Sequence, residues 1–209
     1  MAYGDFELAE VVAKLGVSVA DHPDLFPAVA AVPLSPPVQG LLRLYFPLAI
    51  ANGTEKARSE FLIAPVLADV REQLDRRVSL FSGCDFVVDR AKGLNGVCDY
   101  LLCRSPQQEF VTAPVAVVVE AKNENIKGGL GQCGAAMVAA RVFNERTGLP
   151  DGPVFGCVTS GNVWRFLRLT GSDLQIDQKE YYLTTQPDQI VGILLSVLRC
   201  PVSSSERAA

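Results

Sequence analysis

Asp99, Glu120 and Lys122 are spaced so that they could share one small volume. The valine-rich run APVAVVVEAK (113–122) reads as a buried strand. It runs out through Glu120, Lys122 and Glu124 on alternate positions, hence on one side, with Ala121 and Asn123 on the other. A preceding strand, GVCDYLLCRS (96–105), carries Asp99, 21 positions before Glu120. If the two strands are antiparallel neighbours, both acids lie on one face at the same height. Two carboxylates about 4 Å apart repel by roughly 4 kcal/mol at an effective dielectric near 20, so such a pair takes up a proton or a divalent cation. Hard oxygen ligands with room left for water suit Mg²⁺, with Mn²⁺ as a substitute. Lys122 would stand beside that ion. There, desolvation and a neighbouring cation lower an ammonium pKa and let the amine orient or deprotonate water, or it could steady the charge on a phosphorane.

Three elements must position these groups. From Thr54, a helix N-cap, the segment 54–77 reads as helical, with Pro65 either kinking it or opening a second helix. Its apolar stripe is Ile63, Ala64, Leu67, Val70 and Leu74, and a 100° step per residue puts Glu60 near the middle of that stripe, facing inward. Glu55 lies off the stripe and reads as a favourable charge at the helix N-terminus. Two short strands (78–90 and 96–105) follow around the turn-rich AKGLNG, then the valine strand. A helix over 128–148, closed by Gly148, presents Gln132 in line with its small-residue face of Ala135, Ala136, Ala139 and Phe143. Residues 153–171 read as two strands around a Gly161-Asn162 turn, 173–183 as an edge strand, and 186–200 as a closing amphipathic helix. Before all of these comes a helix over 5–17 ending at Gly16, then a proline-rich loop or extended cover.

The set Asp99, Glu120-Ala121-Lys122, a preceding helix with Glu60 and a following helix with Gln132 resembles the PD-(D/E)XK nuclease superfamily. The likeness spans roughly residues 54–170. It implies an α/β (α+β) fold with a restriction endonuclease-like αβββαβ core, a mixed central sheet flanked by helices. It also implies Mg²⁺-dependent hydrolysis of phosphodiesters in nucleic acid, DNA being the leading substrate. In that family the matching Asp and Glu bind metal, the Lys assists the attacking water, and the helix Glu and Gln support the site. Glu60 thereby joins Asp99 and Glu120 as a candidate metal ligand. CVTSGNVWRFLRL (157–169) is similar to a strand-turn-strand stretch in nuclease domains of type I restriction motor subunits. Cys98 stands where the motif's name has proline. The expected division is a helical and proline-rich extension (1–53) packed on a nuclease core (54–200), with a flexible tail (201–209). Two copies could pair to cut both strands.

Composition narrows the field. With 209 residues, 49% of them apolar, the chain can bury a sizeable core. A net charge of -4 offers no global positive field for nucleic acid or membrane, so contacts to phosphate must be local. The longest greasy stretch (41–51) is too short for a span and is broken by Arg43 and Pro47. His22 is the only histidine, which removes His-based triads and His-rich zinc sites. Six cysteines without a CxxC pair, and an opening MAYGDFELAE without a signal-peptide pattern, fit reduced thiols and a cytoplasmic setting. KGGLGQ (127–132) lacks phosphate-loop spacing, and its glycines read as a flexible approach to the helix; Lys127 lies within reach of a phosphate. Asp85 and Asp89 read as solvent-facing, and Trp164 as core. A strand ending in Glu and Lys is also a common solvated terminus. The same fold without activity, a nucleic-acid or protein binding module, is therefore the alternative function.

Overall fold

The computed structural model describes residues 1–148 and 152–199; the tail expected at 201–209 lies outside them. The chain folds as a mixed α/β structure around one open sheet. Helix α1 (Leu8–Leu15) is followed by β1 (Ser18–His22), α2 (Pro36–Asn52), α3 (Glu55–Arg58), a π-helical turn (Ser59–Ile63) and α4 (Ala64–Gln73). Then come β2 (Ser79–Asp85), β3 (Val97–Cys103), β4 (Val115–Ala121), α5 (Ile126–Arg146), β5 (Val154–Thr159), β6 (Val163–Thr170), β7 (Asp173–Asp177), β8 (Tyr181–Tyr182) and α6 (Pro187–Arg199).

The sheet runs β1-β7-β6-β5-β4-β3-β2, with β8 against β6. β2, β3 and β4 form an antiparallel meander, and β4 and β5 pair in parallel across the α5 crossover. Every residue of β4 is buried, the signature of a central strand covered on both faces. One face packs Tyr100, Val117, Val119 and Ala121 under α4 and α6. The other packs Leu101, Val118 and Val158 under α5 and α1. Trp164 is fully buried, and its indole N–H donates to the Gly161 carbonyl at 2.9 Å.

Local signals account for most boundaries. The Thr54 hydroxyl accepts from Ala57 N–H, capping α3. Gly16 closes α1 in the left-handed region at φ 65°. Pro65 sits in the first turn of α4, where its missing N–H is harmless. Some expectations fail. The strand at 173–177 is not an edge, because polar β1 pairs alongside it in parallel, Ser18 opposite Asp173. The proline-rich stretch gives way to helix at Pro36: Pro36 and Pro37 occupy the first turn, where fixed φ favours a helix start, and Pro47 is accommodated inside. Among the described residues no helix is long and apolar enough to cross a membrane.

The glycines of 127–132 are not a flexible approach either. Asn125 caps α5 by accepting from Gly128 N–H at 2.9 Å, so Gly129 and Gly131 lie inside the helix. A Cβ on Gly131 would collide with the backbone of Phe6 to Leu8. Gly131→Ala is therefore expected to cost about 2 kcal/mol through overpacking, lowering the thermal midpoint by roughly 4–8 °C in a scanning calorimeter.

Candidate active site at the end of the β3–β4 ladder

The β3–β4 register pairs Tyr100 with Val119, so Asp99 and Glu120 come opposite each other one step further on. Here the backbone ladder gives way to a side chain. Asp99 Oδ2 accepts from Ala121 N–H at 2.8 Å. On the other edge of β4, Lys122 N–H continues to the Thr159 carbonyl at 2.8 Å. The end of β4 is thus held on both sides, and Glu120 and Lys122 are fixed at a defined height.

Glu120 is 2% exposed. Its carboxyl lies within hydrogen-bonding contact of Asp99, and its Oε1 accepts from Lys122 Nζ at 2.7 Å. Burial, and then the Asp99 charge, push the Glu120 pKa up to about 8, against the opposing pull of Lys122. The acid pair therefore holds a proton at neutral pH. Lys122 departs from expectation. Burial works to lower its pKa, but the hydrogen bond and charge of Glu120, followed by the charges of Glu55 and Asp99, raise it. The amine is an ammonium, because its nearest neighbours are anions.

Gln132, on α5, accepts from the same Nζ at 3.2 Å, so the inward amide expected from the sequence meets Lys122. Gly129, one turn earlier, faces Lys122 with only hydrogen to offer; a Cβ there would sit 3.0 Å from Lys122 Cγ. Close approach of α5 to the strand end is what lets Gln132 reach the amine.

Glu60 behaves differently. Its side chain is 53% exposed and ion-paired with Lys56 at 2.7 Å rather than turned into the core. The cause is the π-turn over Ser59–Ile63, whose wider winding breaks the 100° phase on which the inward placement depended. Glu60 nonetheless lines the mouth of a cleft of about 320 Å³ together with Glu55, Asp99 and Tyr100. Glu55, read from the sequence as a helix-terminal charge, lies on that cleft and acts electrostatically on Lys122. Tyr100 and Ser59 were not singled out. The Tyr100 phenol contacts Ser59 Oγ at 2.6 Å and donates to the Ser59 carbonyl at 3.0 Å, pinning the π-turn to β3. Alternation along β3 signals which face Tyr100 takes, but nothing local signals its partner.

The donor set suits a hard cation. Asp99 and Glu120 offer carboxylate oxygens, the pair already binds a proton in place of a cation, and Asp99 opens onto the cleft, where water or a phosphate could complete a coordination shell. Among the described residues, no group of three or more His, Cys, Asp or Glu is gathered to hold a metal without such help. Glu124 is exposed and pairs at 3.7 Å with the buried Arg58. Compared with family models, curated proteins and solved structures, the chain matches none.

Proposed function

We propose that the protein is a metal-dependent nuclease of the restriction endonuclease-like type, hydrolysing phosphodiester bonds of nucleic acid, with DNA as the first substrate to test. The observation that carries this reading is the meeting of the Asp99 and Glu120 carboxyls with the Lys122 ammonium on Glu120. The order of elements supports it: helix, three antiparallel strands, helix, and a strand parallel to the third. Asp99 and Glu120 would hold the ion, with Glu60 at the cleft mouth. Mg²⁺ or Mn²⁺ bound there supplies positive charge that offsets the charge developing on a phosphoryl group. Lys122, held as an ammonium by Glu120 and aimed by Gln132, donates toward an anionic oxygen of the reacting phosphate. Glu55 and Glu60, on the opposite wall, keep the mouth acidic, so a polyanion is drawn in only once a cation is present.

One feature of the site favours the module reading. Without metal the cluster is self-satisfied, Glu120 by a proton and by Lys122. Calorimetric titration with Mg²⁺ and Mn²⁺ separates the two. The nuclease reading expects one ion per chain, with affinity at least about ten-fold weaker in Asp99→Asn, since a buried charge–charge interaction of 1.4 kcal/mol or more is lost. It also expects cleavage of single- or double-stranded DNA to disappear in that variant. Absence of metal binding by the wild-type chain at millimolar Mg²⁺ and Mn²⁺ would leave the binding module as the function.

A further inference from the structure

The α5 face carries a second cavity that the acid pair does not use. Its volume is about 450 Å³, within the range of small-ligand pockets. Leu8, Val19, Leu130 and Ile176 make apolar walls, while Lys127, Arg165 and Asp21 supply its charged groups. Lys127 and Arg165 outnumber Asp21, so the pocket favours an anion at its rim. Arg165 is anchored: its Nε donates to the Asp177 carbonyl at 2.8 Å, which holds the guanidinium at the pocket it lines. The Lys127 ammonium has no hydrogen bond or ion pair with any described residue.

The sheet register ties this cavity to the acid pair. Glu120 pairs with Val158, and Val158 pairs with Arg165. Directly paired residues share a face, so Glu120, Val158 and Arg165 form one row on the α5 side. Two inter-strand steps put the backbones of Glu120 and Arg165 about 10 Å apart. The first turn of α5 sits between them, Gly129 lying against both Val158 and Lys122. A chain of phosphates leaving Lys122 would thus cross the N-terminal turn of α5, meet Lys127, and arrive at Arg165.

We propose that this pocket takes one unpaired base of the substrate strand, beside the phosphate held at Asp99 and Glu120, so that the enzyme acts on single-stranded nucleic acid. This rests on the nuclease reading and adds the substrate class. The apolar walls take the faces of the base, Asp21 accepts from a ring or exocyclic N–H, and Lys127 and Arg165 take the flanking phosphates. A paired base has its edge engaged in the duplex and does not enter.

The test uses the full chain in Ca²⁺ and fluorescence anisotropy with three labelled probes: a short single strand, the duplex of that strand, and an abasic strand of the same length. Wild type is expected to bind the single strand about ten-fold tighter than either of the others, a difference of the size that one buried hydrogen bond and its apolar contacts supply. Val19→Trp, which fills the pocket, abolishes the preference for bases. Lys127→Ala, at an exposed position, weakens single strand and abasic strand alike and reduces the salt dependence of both. Equal binding of all three probes by a wild-type chain that cleaves DNA in Mg²⁺ would overturn the pocket and leave the nuclease standing. Neither binding nor cleavage of any probe would overturn both.

Discussion

Lys122→Ala is expected to lower metal-dependent DNA cleavage by about 10²–10³-fold, the usual cost of removing one donor aimed at developing negative charge. The ammonium is in place before substrate arrives, at 2.7 Å from Glu120 Oε1 and 3.2 Å from Gln132 Oε1, so little reorganisation is needed when a phosphate replaces one of these contacts. Its loss has a second effect. Lys122 lowers the Glu120 pKa against burial and Asp99, so the variant's Glu120 keeps its proton to higher pH and competes harder with the cation. Part of the lost activity should therefore return as pH is raised toward 9, along with metal affinity measured by calorimetry, whereas the loss of the donor persists at every pH. Cleavage within three-fold of wild type across that range would remove Lys122 from the reaction.

The same residue shows where sequence reasoning stops. Period-two alternation along a valine strand fixed the side taken by Glu120 and Lys122, and the spacing to Asp99 matched an antiparallel return, so the three groups could be placed together from the chain alone. Thr54 and Gly16 were legible as caps because a cap is a local device. The charge state of Lys122 was not legible, since it depends on how many anions surround it, and Glu55 comes from a helix 67 positions away. Glu60 was misjudged because a π-turn leaves no period in the sequence and shifts every later side chain. β1 was hidden for a related reason: SVADH is mostly exposed and polar, and only its parallel partner β7, more than 150 positions on, makes it a strand.

Glu120→Gln should make the metal-free protein more stable in base while weakening its response to Mg²⁺. In the folded chain Glu120 titrates at about 8, against an ordinary value of 4.5. Between those values the folded state holds a proton that the unfolded state has released, so stability is greatest below pH 4.5 and falls as pH rises through 8. Linkage across that window is worth about 5 kcal/mol for a group so completely buried. Glutamine carries no charge to desolvate and keeps an oxygen to accept from Lys122, so the variant's stability should not follow that slope. At pH 9 without metal it should melt roughly 10–20 °C above wild type; near pH 4.5 the two should coincide. Mg²⁺ narrows that gap. At a hundred times the wild-type dissociation constant a bound ion adds about 2.7 kcal/mol to the wild type, and about 1.4 kcal/mol or less to a chain whose second carboxylate is gone and whose affinity is at least about ten-fold weaker. Parallel melting curves from pH 4.5 to 9 would mean that Glu120 is ionised and already compensated in the fold, and the acid pair would then have no unmet need for a cation.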